Sequence, residues 1–170
     1  MSRFTPRAWM HAAALACSMA SAAAAAATDG TYTVRQMTPE TALAAASAAL
    51  ASCRSAGYQV SVAVVDRAGL VQALLRDRFA GAHTLQVATD KAWSSASFRI
   101  STAELAQATA SGELAGLRHA PRVVAVGGGL PIESSGSLVG GIGVSGAPGS
   151  GADEKCARAG RDAIEDALGF

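Results

Sequence analysis

RVVAVGGGLPIESSGSLVGGIGVSGAPGSG, residues 122–151, is the stretch whose reading decides the fold of this chain. Two runs rich in β-branched residues, 123–126 and 138–144, flank a turn made of three glycines, a proline and a serine pair. Strand formers on either side of flexible residues predict a hairpin. Gly140, Gly141 and Gly143 thin the second strand, so another segment is expected to pack closely against its backbone. Past Gly146 a second glycine-rich loop runs into a helix predicted over residues 153–168, with Cys156, Ala159, Ala163, Ile164 and Leu168 turned inward.

Outward from that stretch, the same signals repeat. Thr38, Pro39 and Glu40 read as N-cap, first-turn proline and first-turn acid. Leu43, Ala46, Leu50 and Cys53 mark the buried stripe of that helix, and Gly57 is placed to stop it. Tyr58, Val60, Val62 and Val64 share one face of a strand, residues 66–69 turn, and residues 70–75 return. An extra strand is expected at 32–35. A polar connection, 76–84, leads to a helix over 85–98 capped by Thr84, with Leu85, Ala88, Ala92 and Ala96 inward. Ser101 and Glu104 form a capping box for a shorter helix to residue 110, and 111–121 is a loop with room for one helical turn. Hairpins alternate with helices, which predicts a single α+β layered domain with a mainly antiparallel central sheet flanked by helices.

The chain has 170 residues, enough for one domain with a substantial core. Arg3 and Arg7 precede an alanine-rich apolar run and small residues, the order of a secretory signal, so cleavage is expected near Ala27 and the domain over 28–170. Removing residues 1–27 takes two of the 14 basic groups, leaving 12 against 13 acidic ones. No basic stripe remains to neutralise phosphates, which argues against nucleic acid as a partner. The product is expected to be periplasmic or secreted. Cys53 and Cys156 then admit two readings, a bridge formed in an oxidising compartment or two small buried hydrophobes.

Several chemistries lack their pattern. The glycines at 127–129 lead into a hairpin, not a helix, and no Gly-Lys-Ser/Thr occurs, so they do not form a nucleotide loop. The loop 146–151 does open a helix and its N–H groups could hold an anion, but Asp153 and Glu154 can satisfy that helix end themselves. Ser145 resembles a nucleophile elbow, yet no histidine follows His119. No residues are assigned to catalysis. A closed zinc site has no signature, whereas a haem iron needs only one or two axial ligands. His83 lies in a Gly-Ala-His-Thr turn beside a helix start, near Arg76, Arg78 and Lys91, and guanidinium forks suit propionates. On residues alone, an ordinary loop imidazole explains His83 as well; His119 has weaker support.

Residues 66–70 (DRAGL), 76–85 (RDRFAGAHTL), Lys91-Ala92 and Phe98 resemble the GlcG/HbpS-like haem-binding family. So do 126–132 (VGGGLPI), 140–147 (GGIGVSGA) and 153–157 (DEKCA), in order along nearly the whole mature chain. The resemblance implies a profilin-like domain assembling as a homo-oligomer, with haem binding attributed to some members and a related domain fused to corrinoid adenosyltransferases. It places Arg76, Arg78, the His83 turn and Lys91 in the family's pocket motifs. The axial ligand varies within the family, so His83 as the metal ligand rests on its own chemistry. Arg122 departs from the pattern, which has glycine after the proline. Trp93, Ser94 and Ser95 also replace smaller residues or threonine.

Three functions follow. The first is an exported haem-binding protein serving haem capture, buffering or redox sensing, with His83 on iron and Arg76, Arg78 and Lys91 around the ring. The second is a cofactor-free enzyme or binding module for a small organic acid, with Arg76 or Arg78 on its carboxylate and His83 as acid–base. The third is an interaction module, with a membrane sensor kinase as the partner that family analogy allows.

Overall fold

The computed structural model describes Met1 and residues 30–169. Residues 2–29, which include nearly all of the expected export signal, lie outside the described set. Residues 1–33 make a unit of their own, whose described members carry no helix or strand. No helix among the described residues is long and apolar enough to cross a membrane.

The second unit, residues 34–170, runs α1 (Pro39–Ser55), β1 (Ser61–Asp66), β2 (Val71–Arg76), α2 (His83–Phe98), α3 (Thr102–Ala108), a 3-10 turn (Ala115–His119), β3 (Gly129–Ser134), β4 (Ser137–Ser145), α4 (Ser150–Asp162) and α5 (Glu165–Leu168). The four strands form one antiparallel sheet in the order β2-β1-β4-β3. The α+β expectation holds. One face of β1, Val62 and Val64, belongs to a core shared with α1 and α4; the other, Ala63 and Val65, meets Ala88, Ala92 and Ala96 of α2. The domain therefore has three layers, α1/α4, sheet and α2.

Helix ends follow the local sequence. The Thr38 hydroxyl accepts from the Thr41 amide at 3.3 Å, and Pro39 occupies the first turn. At the other end Gly57 has φ +83°, its amide bonds to the Arg54 carbonyl, and the Tyr58 amide bonds to the Cys53 carbonyl. That is a glycine-terminated helix end with two carbonyls satisfied. Ser101 and Glu104 form the expected capping box.

The hairpin of the opening stretch exists, with its turn narrowed to two residues within the expected one. Ser134 pairs with Ser137, and the loop is Ser135 and Gly136, with φ of +50° and +73°. Two positive φ values match the right-handed strand twist in a two-residue loop. Residues 123–126 are not a strand, because the Val124 amide bonds to the Ser94 hydroxyl instead of to a ladder partner. Gly129 already lies in β3, and Pro131 is accommodated because β3 is an edge strand.

The close approach expected on the glycine strand is present. A Cβ on Gly141 would stand 2.6 Å from the Ala92 carbonyl oxygen, and one on Gly143 would collide with the Ala88 carbonyl oxygen and the Ala92 amide. The central strand is bare so that α2 can lie directly on it.

Other sequence expectations need correction. Leu43 is exposed; α1 buries Ala42, Ala45, Ala46 and Ala49, small residues that let α4 come close at Gly160. The last helix breaks into α4 and α5, leaving Ala163 exposed while Ile164 stays buried. The extra strand at 32–35 is absent, and α2 starts at His83, so Thr84 lies inside the helix rather than capping it. Cys53 and Cys156 are bridged, joining α1 to α4 across 103 residues.

Candidate functional site

The turn between β2 and α2 gathers three of the four residues picked out by the sequence. Arg76 ends β2, and its Nε and Nη2 donate to the Ala80 carbonyl at 2.8 and 2.5 Å. Beneath it Asp77 is buried, receives Nε and Nη2 of Arg54 at 2.7 and 3.0 Å, and accepts the Arg78 amide at 2.9 Å. Thr84 donates to the Gly81 carbonyl at 2.6 Å and shares a 2.7 Å hydroxyl contact with Ser61. The turn is thus held from three sides, a fixed platform instead of a floppy connection.

What the platform presents is Arg78, Phe79 and His83. All three side chains are exposed, Phe79 at 81%. Neither the Arg78 guanidinium nor the His83 imidazole has a side-chain hydrogen-bond partner among the described residues. The imidazole rests over Gly81, where a Cβ would stand 2.7 Å from its Cε1. Glycine at 81 is what gives the ring that position.

Apolar side chains also stand exposed along β2. Leu70, Val71 and Leu74 are exposed on β2 and the turn before it. Leu74 pairs with Ala63, whose side chain faces α2, so Leu74 and Arg76, two residues apart, share the α2 side of an edge strand that α2 does not cover. Exposed large hydrophobics concentrated on one edge mark a surface made to be covered. The site is an open face, and neither the 280 Å³ groove beside Pro131 and Arg161 nor the 360 Å³ groove beside Tyr58 and Cys156 includes His83, Arg76, Arg78 or Lys91.

Lys91 lies apart from that face. It is 2% exposed, and Nζ donates to the Val144 carbonyl at 3.0 Å and to Asp153 Oδ2 at 2.8 Å. Asp153 also accepts the Ala147 amide at 2.9 Å. This pair ties α2, β4 and α4 together in the interior, with Gly128 packed over it. Its ammonium is committed inside the domain, which sets it apart from the three residues of the turn.

Arg122, where glycine was expected, has φ +68°, in the region that favours glycine. Its carbonyl accepts from Ser94, its Nε pairs with Asp90 at 3.1 Å, and its guanidinium lies 4.8 Å from the Trp93 ring centre. Trp93, Ser94 and Arg122 are therefore joined through Arg122 and hold the loop together. His119 ends the 3-10 turn with an exposed side chain.

Sequence reasoning missed the apolar half of the face. Phe79, an aromatic inside an otherwise polar turn, was a readable signal. Leu70 and Leu74 were not, because their exposure depends on β2 being an edge strand. The Asp77–Arg54 pair was also missed, since 23 residues separate the partners.

The Arg54 guanidinium beside Asp77 holds its carboxyl below the ordinary carboxylate range, with the Arg78 amide adding to the effect. A depressed folded value stabilises the domain above the unfolded pKa, about 3.9, and that contribution disappears as pH falls through the lower folded value. Asp77→Asn is therefore expected to lower the urea midpoint at pH 7, with less difference from wild type at pH 3. Parallel curves at the two pH values would show that the pair contributes nothing pH-dependent.

Comparison with known proteins gives a consistent picture. The family described as haem degrading protein HbpS-like matches residues 37–162. Among solved structures, a double mutant of Streptomyces reticuli HbpS shares 34% identity, covering 94% of this chain and 99% of that one, with TM-score 0.77. The Klebsiella pneumoniae protein ORFY shares 27% identity over 81% of this chain and 96% of its own, also at 0.77. The PduOC:haem complex shares 26% identity over 76% and 96%, with TM-score 0.72. No curated protein matches the chain.

Proposed function

The chain belongs to the family of HbpS-like haem degrading proteins, and from that premise we propose that it binds haem on the open face around the β2–α2 turn. The observation that carries this reading is an exposed imidazole, with no hydrogen-bond partner among the described residues, beside a guanidinium in the same state and a strip of exposed apolar side chains. The donor set suits the group. A neutral imidazole is an iron ligand, guanidinium forks donate to carboxylates, and Leu74 and Phe79 offer apolar contact to a flat ring. A relative with the same fold was solved as a haem complex.

In this reading His83 would supply a nitrogen ligand to the iron and Arg78 would pair with a propionate, while Arg76, bonded to the Ala80 carbonyl, keeps the shape of the turn. Bound haem supplies redox-active iron; the chain's residues hold and orient it. The face is open in a single chain, and a second copy laid against the β2 edge would exclude water from the ring, so the protein is proposed to act as a homo-oligomer. Export is part of the proposal: residues 1–27 carry the basic, apolar and small-residue order of a signal, and a disulfide suits an oxidising compartment. Haem capture, buffering and sensing, the last with a membrane sensor as partner, are uses of the same binding event.

Hemin titrated into the folded protein is expected to give a saturable Soret change. Absence of any saturable change, together with melting shifts on adding small carboxylates, would replace haem by an organic acid as the ligand of this face.

A further inference from the structure

A second reactive place lies on the opposite side of the sheet, where the disulfide meets a groove. The 360 Å³ groove runs between the end of α1 and the start of α4, bounded by Ser52, Ser55 and Tyr58 on one side and Ala152, Lys155 and Cys156 on the other. Cys156, 3% exposed, lines it; Cys53, at 0%, does not. The Cys53 carbonyl receives the Tyr58 amide, and Arg54 next to it is locked on Asp77. On the other side Gly149 is the N-cap of α4, and Asp153 in its first turn accepts the Ala147 amide and pairs with Lys91, so both flanks of the bridge are held.

We propose that this groove is a thiol-exchange site, in which a small anionic thiol attacks Sγ of Cys156. The exposed Lys155 ammonium at its rim favours a thiolate that carries carboxylates. The incoming thiolate forms a bond to Cys156 Sγ, the Cys53–Cys156 bond breaks, and its electron pair leaves on Cys53 Sγ, which takes up a proton. The product is a mixed disulfide on Cys156 and a free thiol at Cys53. A second thiolate then displaces the first, leaving two protein thiols and one small-molecule disulfide, so two thiols are oxidised for each bridge reduced. The tether between α1 and α4 is released while the apolar contact between them remains. The groove is thus a modification site, independent of the haem face.

The test treats the intact oxidised protein with excess glutathione at neutral pH, quenches with acid and maps the adduct by peptide mass spectrometry. The adduct is expected on Cys156 with Cys53 as free thiol. Lys155→Glu, a change on the surface, should slow the reaction with glutathione about threefold or more and speed the reaction with the cationic thiol cysteamine. An adduct on Cys53, an even division between the two sulfurs, modification only as fast as the whole domain unfolds, or rates blind to the charge at 155 would each overturn the proposal.

Discussion

Gly143→Val is expected to leave little or no folded protein. Gly143 stands in the middle of β4, paired with Ala63 of β1 and Gly129 of β3. Even a methyl there would press on the Ala88 carbonyl oxygen, the Ala92 amide and the Lys91 Cβ, backbone and near-backbone atoms that cannot swing aside. Three added carbons force α2 off the sheet, breaking its contact with Ala63 and Val65. Overpacking costs about 1–3 kcal/mol where side chains can adjust, and more where only backbone can move. Against a total stability of about 5–15 kcal/mol that is a large loss. Gly116→Ala is the control: nothing stands within 4 Å of a Cβ at that position, and its urea midpoint should hardly move. A Gly143→Val protein with wild-type midpoint would show that α2 does not rest on this strand.

Lys91→Met carries the second large effect. The substitution leaves the Asp153 carboxylate, 7% exposed, without its cation. Removing one member of a buried pair typically costs about 3–5 kcal/mol, because the remaining charge stays desolvated and uncompensated. Removing both is gentler. Lys91→Met with Asp153→Leu replaces the pair by apolar bulk and should recover much of the loss, leaving the unpaired Ala147 amide and Val144 carbonyl as the residual cost. Urea denaturation of the two single variants and the double variant closes the cycle. If the single substitution costs under about 1 kcal/mol, the interior pair is not what joins α2 to α4.

The sequence disclosed whatever is local. Thr38, Gly57 and Ser101 announced their helix ends through bonds that span only three to five residues. Gly140, Gly141 and Gly143 announced a packing partner, and α2, with its alanines at four-residue spacing, is that partner. The turn of the second hairpin was drawn too wide because Gly127, Gly128 and Gly129 read as turn residues beside Ser135 and Gly136, although only the latter pair sits in the loop of the ladder. Nothing local tells that Gly128 packs over a buried ion pair. The split over the site has the same origin. His83, Arg76 and Arg78 are neighbours in sequence and in space. Lys91, eight residues after His83, points to the interior because its partners, Val144 and Asp153, come from β4 and α4. The exposed face of Leu74 became visible only with the order of strands, which no single segment encodes.

Hemin binding to wild type and to His83→Ala, measured side by side, addresses the proposed function most directly. The imidazole is exposed and makes no hydrogen bond among the described residues, so the variant keeps its fold and any change in spectrum reports on iron. A saturable Soret band in the wild type that shifts and weakens in His83→Ala is the expected outcome. Identical spectra and affinities in the two proteins would take the iron away from this turn, and no saturable band in either would remove haem from the account.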